Sequence, residues 1–177
     1  DRGRSGIASA TVEIAGCDPA EVAFASRRAT DSWFCWEQPD RNFSLSAIGT
    51  AYSSVSRGPD RFSQVADDTS HRSGTASVVN GPGVGDDVGP VWTGGFAFSS
   101  RDASGSAWSS FAPAEMTLPC LSIVNDGKRT LLTVNVMVNS SSRRDSLLAS
   151  VRSRVESMVT REMPMLDPHP LDRPVIE

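Results

Sequence analysis

Apolar and small polar residues alternate from position 7 to 14, where Ile7, Val12 and Ile14 are separated by Ala, Ser, Thr and Glu, and Gly16 ends the run. A period near two predicts a β-strand there. Asp18, Pro19 and Glu21 then stand in the order of a helix start. They offer a capping oxygen, a ring that pre-sets the first helical φ, and an acid three residues past the cap, so residues 18–26 are predicted helical. Residues 33–37 form a first aromatic strand, residues 39–42 carry turn chemistry, and residues 43–56 keep strand-like residues while their alternation shifts at Gly49. That shift predicts a bulge or a sharp bend. Gly58, Pro59 and Asp60 introduce a second helix with a modest stripe of Phe62, Val65 and Ala66, which turns polar near Asp67 and Asp68.

Residues 80–90 read as a loop and residues 91–98 as a second aromatic strand. Residues 116–124 and 129–138 are the arms of a hairpin around Asn125, Asp126, Gly127 and Lys128, because Asp-Gly suits a tight turn and β-branched residues fill the arms. Ser142 with Asp145 has the spacing of a capping box. Leu147, Leu148, Val151, Val155, Met158 and Val159 recur at helical spacing, predicting an amphipathic helix of about five turns. Pro164, Pro168, Pro170 and Pro174 follow too closely for a helix or a central strand.

The sum is an α+β or mixed α/β chain with an antiparallel-rich sheet and flanking helices. Both aromatic strands carry apolar residues on two faces, the pattern of strands buried inside a layered domain. Trp33, Trp36, Trp92 and Trp108 are therefore expected in the core rather than on a stacking platform. Residues 1–163 are expected to be one unit and residues 164–177 a Pro-rich connector toward a further part, since such segments normally lead between packed units.

With 177 residues the chain is long enough for one core. A net charge of −4 supplies no field that would hold a nucleic-acid backbone. No apolar run reaches bilayer length, so neither nucleic acid nor membrane is expected as a partner. Cys17, Cys35 and Cys120 are odd in number and lack any C-x-x-C, which fits a reducing, cytoplasmic compartment rather than a disulfide framework or a zinc cluster.

Candidate chemistry is sparse. Of the 17 basic residues only Lys128 is a lysine; it sits in the hairpin turn and receives no catalytic role. Arginine stays protonated and clamps anions but does not serve readily as a base. The glycines between Gly81 and Gly89 lack the Gly-Lys-Ser/Thr of a phosphate loop, and Asp86 and Asp87 would repel phosphate. His71 and His169 lie far apart in polar or Pro-rich sequence and read as surface residues. Arg143, Arg144, Arg152, Arg154 and Arg161 read as the solvated face of the last helix, with Arg152 and Glu156 at the supportive i,i+4 distance. No acid–base pair, nucleophile or metal cluster emerges, so no catalytic, cofactor-binding or metal residue is assigned.

Five segments, taken together and in order, resemble the amino-terminal region of isochorismate synthases in the chorismate-utilising enzyme family. They are Trp36-Glu-Gln-Pro-Asp-Arg-Asn-Phe43, Gly58-Pro-Asp-Arg-Phe62, Gly89-Pro-Val-Trp-Thr-Gly-Gly-Phe-Ala-Phe98, Leu118-Pro-Cys-Leu121 and Leu131-Leu-Thr-Val-Asn135. Two positions depart from the pattern: Ser99 stands where Asp is usual, and residues 108–113 replace an aromatic and glycine stretch.

The resemblance implies the amino-terminal part of an anthranilate-synthase-like two-layer fold. It also implies a parent enzyme that converts chorismate to isochorismate with Mg2+, for menaquinone or siderophore synthesis. A lysine that activates water lies in a Lys-Val-Val-Leu-Ala-Arg-like strand, and a glutamate protonates the departing hydroxyl. No such strand occurs here, so the chain is expected to bind no metal and to be inactive without a carboxy-terminal half as its partner. A non-catalytic interaction module on the same framework, or a salicylate- or anthranilate-synthase relative, are the alternatives.

Overall fold

The computed structural model describes residues 5–98 and 111–161. Among them the elements run β1 (Gly6–Ile14), α1 (Pro19–Ser26), β2 (Trp33–Gln38), β3 (Phe43–Ile48), β4 (Tyr52–Ser56), α2 (Arg61–Gly74), β5 (Ser77–Asn80), β6 (Thr93–Phe96), β7 (Ala114–Leu118), β8 (Leu121–Asn125), β9 (Thr130–Val138) and α3 (Arg144–Glu156). Six strands make one sheet in the order β2-β3-β8-β9-β1-β5, and three make a second in the order β4-β7-β6. Every pairing is antiparallel except β1 with β5. The architecture is α+β, as expected.

Local chemistry accounts for the elements read correctly. Asp18 Oδ1 accepts the main-chain N–H of Ala20 at 2.8 Å and of Glu21 at 3.4 Å, satisfying donors that α1 itself leaves open. In the β8–β9 turn Asp126 Oδ1 accepts from the N–H groups of Lys128 and Arg129, both at 2.9 Å, while Gly127 takes φ +80°. Those two main-chain bonds, helped by the charge of Arg129 and opposed by slight burial, hold the Asp126 carboxyl below its usual range.

Gly49 is more than a bulge. It takes φ +69° and ends β3 in the large sheet, after which the chain enters β4 in the small one. The same crossing recurs at Pro119 and Cys120, between β7 and β8, so the first arm of the expected hairpin is in fact two strands of two sheets. The two crossings lock together: Ala51 N–H donates to Leu118 O at 2.8 Å and Cys120 N–H to Gly49 O at 3.3 Å. Asn135 completes the joint, donating Nδ2 to Pro119 O at 2.9 Å and its main-chain N–H to Cys120 O at 2.9 Å.

One face of the large sheet carries α1, and its core is Val22, Leu121, Ile123 and Leu132, with Cys17, Val134, Val155 and Met158 packed against it. α1 can approach closely because its buried residues are small: Pro19, Ala20, Val22, Ala23 and Ser26. The residues pointing to the other face are also buried yet largely polar. Ser9, Thr11, Ser122, Thr133 and Asn135 occupy neighbouring positions on β1, β8 and β9, and the Thr11 and Thr133 hydroxyls pair at 3.0 Å.

Several expectations are corrected. Trp33 and Trp36 are 49% and 52% exposed, because β2 is an edge strand of the large sheet rather than a buried one. β6, the core of the second aromatic segment, is only four residues long and forms the edge of the small sheet, with Phe96 exposed. Trp92 is half-buried beside β6 and donates its indole N–H to Ser73 Oγ at 2.9 Å. Trp108 lies outside the described residues.

In α2 only Val65 of the apolar stripe is buried; Phe62 and Ala66 face outward, and the helix runs on past Asp67 and Asp68 to Gly74. Ser142 and Asp145 form no capping box. The Ser142 hydroxyl accepts the Asn139 N–H at 3.0 Å instead, and α3 spans 13 residues, fewer turns than expected. The Pro-rich stretch 164–177 and its role as a connector lie outside the described residues.

Candidate functional site

Several concave regions gather polar side chains. One, of about 730 Å³, opens at one end of the large sheet between the start of α1, the turn at residues 39–42 and the β8–β9 turn, next to a hollow of about 200 Å³ lined by Glu13, Lys128 and Arg129. The polar wall of the larger one is Cys17, Asp18, Glu37, Asn42, Ser44 and Asn125, with two carboxylates and no basic residue. That balance repels anions. Burial, followed by the charges of Asp18 and Glu21, pushes the Cys17 thiol up, so it stays protonated and is a poor nucleophile.

A smaller cleft of about 160 Å³ separates the two sheets, where Phe34 and Ala47 face Thr93, Glu115 and Thr117. Glu115 accepts the Ser53 hydroxyl at 2.6 Å. This volume is below the roughly 300–1,000 Å³ usual for small-molecule sites.

Another region, about 390 Å³, lies beneath α3. Here Arg154 turns inward, contrary to its expected place on a solvated face. It ion-pairs with Asp31 and donates Nη1 to Ser26 O at 3.3 Å, with only 12% of its side chain exposed. Asp31 also accepts the Arg28 main-chain N–H at 2.9 Å. Burial pushes the Cys120 thiol up here, with Arg154 and Arg28 opposing and Asp31 adding to the rise. Arg154 and Asp31 are 123 positions apart, and no local pattern announces their meeting.

The remaining candidates are not brought together. Lys128 is exposed in its turn and His71 is exposed on α2, while His169 lies outside the described residues. The glycine-rich loop after β5 is fixed by Asn80 Nδ2, which donates to Gly85 O at 2.8 Å and Val88 O at 2.9 Å. Asp86 and Asp87 are exposed on that loop.

Magnesium needs convergent oxygen ligands. Among the described residues no three His, Cys, Asp or Glu side chains gather as such a set. Asp18 and Glu37 share one wall, but Asp18 Oδ1 is already engaged in capping α1. The described residues do not fit the ion.

Comparison with known proteins assigns the fold and its motifs a family. The chain is 29% identical over 123 residues to the salicylate biosynthesis isochorismate synthase of Pseudomonas aeruginosa, an alignment that covers 70% of this chain. It spans only 24% of that relative's length. A family model described as chorismate binding enzyme matches residues 1–173, nearly the whole sequence. The matched residues take in the exposed aromatic edge, the paired crossings and the hairpin, and the chain belongs to the chorismate-binding enzyme family.

Proposed function

We propose that this chain is the amino-terminal part of an isochorismate synthase and is structural rather than catalytic by itself. The observation that carries the reading is the match to a relative named as an isochorismate synthase, of which the chain spans 24%. Electrostatics support it. Chorismate is a dicarboxylate, whereas the lining of the 730 Å³ cavity presents Asp18 and Glu37 and no cation. Lys128, the single lysine, stands exposed in a turn and does not line that cavity. In this reading the chain contributes sheet and helices, and the lysine and glutamate of the reaction belong to a carboxy-terminal half. Menaquinone or siderophore synthesis in the cytoplasm is the corresponding setting.

The test has two arms. The isolated chain, incubated with chorismate and Mg2+, is expected to form no isochorismate; turnover would refute its incompetence. A longer polypeptide carrying these residues is expected to yield isochorismate without ammonia and without releasing pyruvate. Anthranilate or salicylate as the product would refute the isochorismate assignment.

A further inference from the structure

The cavity beneath α3 combines features that none of the foregoing uses. Val134 and Val136 form an apolar floor on β9, above the buried Leu121 of β8, and Val151 closes it from α3. Its lining includes two arginines, Arg28 and Arg154, against one carboxylate, Asp31, a single net positive charge, and the Arg28 charge acts on Cys120 in the same lining. Arg154 is committed to Asp31 and to Ser26 O. Arg28 offers Asp31 only its main-chain N–H, and among the described residues no carboxylate lies within ion-pair distance of its guanidinium. Ser150 and Ser153 add hydroxyl donors from α3.

A volume of about 390 Å³ falls in the range of small-molecule sites, in which apolar walls supply affinity and a few polar groups fix orientation. We propose that this cavity binds a small ring-bearing monocarboxylate, its ring on the Val134, Val136 and Val151 walls and its carboxylate on the Arg28 guanidinium. One excess positive charge matches one carboxylate. A phosphate or a dicarboxylate would bring a second negative charge toward Asp31 with no cation left to meet it. A neutral ring would leave the guanidinium without its anion and lose the charge-assisted bonds. The inference does not depend on the isochorismate reading, because it rests on this chain's own walls.

Benzoate is the probe and benzamide its neutral isostere. Titrating the chain by two-dimensional amide NMR, benzoate is expected to produce saturable shifts at Cys120, Val134 and Ser153. Benzamide is expected to bind about tenfold more weakly, the loss of one charge-assisted contact. Arg28→Gln, an exposed position, should weaken benzoate by a similar factor of about ten while leaving the thermal midpoint unchanged. Absent or non-saturable shifts, equal binding of benzamide, or an indifferent Arg28→Gln would each overturn the proposal.

Discussion

α2 and α3 are nearly equal in length, at 14 and 13 residues, yet they are attached to the molecule in opposite ways. α3 carries more large apolar residues, but they are spread around the helix rather than gathered on one face; it buries no residue completely, and Leu148 on it is 50% exposed. α2 carries fewer large apolar residues but is more one-sided: Val65 is 1% exposed and even Arg61 is buried, its Nη2 donating to Ala97 O at 2.9 Å. A polar network adds to the hold on α2. Tyr52 donates to Asp68 at 3.0 Å, Arg72 Nε meets the other oxygen of that carboxylate at 3.0 Å, and the Arg72 guanidinium lies 3.8 Å over the Tyr52 ring.

α3 depends instead on its last turns. Val155 and Met158 touch the core, Arg154 pairs with Asp31, and the Val159 N–H donates to Ser26 Oγ at 2.9 Å. A stripe states which face of a helix can be buried; whether a surface of matching shape lies opposite is a separate matter. Beneath α3 it does not match, and a cavity remains.

The largest test of that contrast pairs two truncations. Val65→Ala removes two methyl groups from a closed site and should cost about 2 kcal/mol in urea denaturation. Leu148→Ala, at a half-exposed position of α3, should stay within about 0.5 kcal/mol. Comparable costs would erase the distinction between the helices.

Asp31→Asn is next, because it leaves the Arg154 guanidinium partly buried without its counter-charge. A loss of about 1–2 kcal/mol is expected, between the values for exposed and for buried pairs. Hydrogen exchange should quicken across α3 and stay unchanged across α2; unchanged α3 amides would show that the ion pair does not hold the helix.

The smallest effect is pH-dependent and belongs to α2. Burial raises the Asp68 carboxyl, but hydrogen bonds from Ser54 and Tyr52 and the Arg72 charge outweigh it and bring it below the usual range. A carboxylate depressed in the folded state adds stability that is present above the unfolded pKa of about 3.9 and fades as pH falls through the lower, folded value. Asp68→Asn should therefore destabilise by about 1 kcal/mol at neutral pH. The gap to the parent chain should close as the solution is acidified below about pH 4. A gap in thermal midpoint that is constant from neutral to acid pH would remove the carboxylate from the account of how α2 is held.

Legibility followed the range over which each cause acts. The Asp18 cap, the Asp126-Gly127 turn and the bend at Gly49 are written within a few residues of where they act, and all three were readable. The crossing at Pro119 and Cys120 was not, because residues 116–124 look like one continuous strand when nothing says that its two ends pair with different sheets. β5 went unread for a related reason: its four residues pair only with β1, in parallel, far back in the chain. The exposed Trp33 and Trp36 were misplaced because aromatic content records what a strand can pack against, not whether it has a neighbour on both sides.

By itself, then, the order of residues determined the local geometry: caps, turns, the positive-φ glycine, the strand and helix periods, and the motifs that carry the family. Those causes are steric or involve hydrogen bonds between close neighbours in the chain, so they survive without knowledge of the whole. Only the tertiary structure decided which strands became edges, that α2 is clamped while α3 spans a cavity, and that Arg154 finds Asp31 across 123 residues. Burial and ion pairing depend on what arrives from elsewhere in the chain, and that is set by the packing of the two sheets rather than by any segment within them.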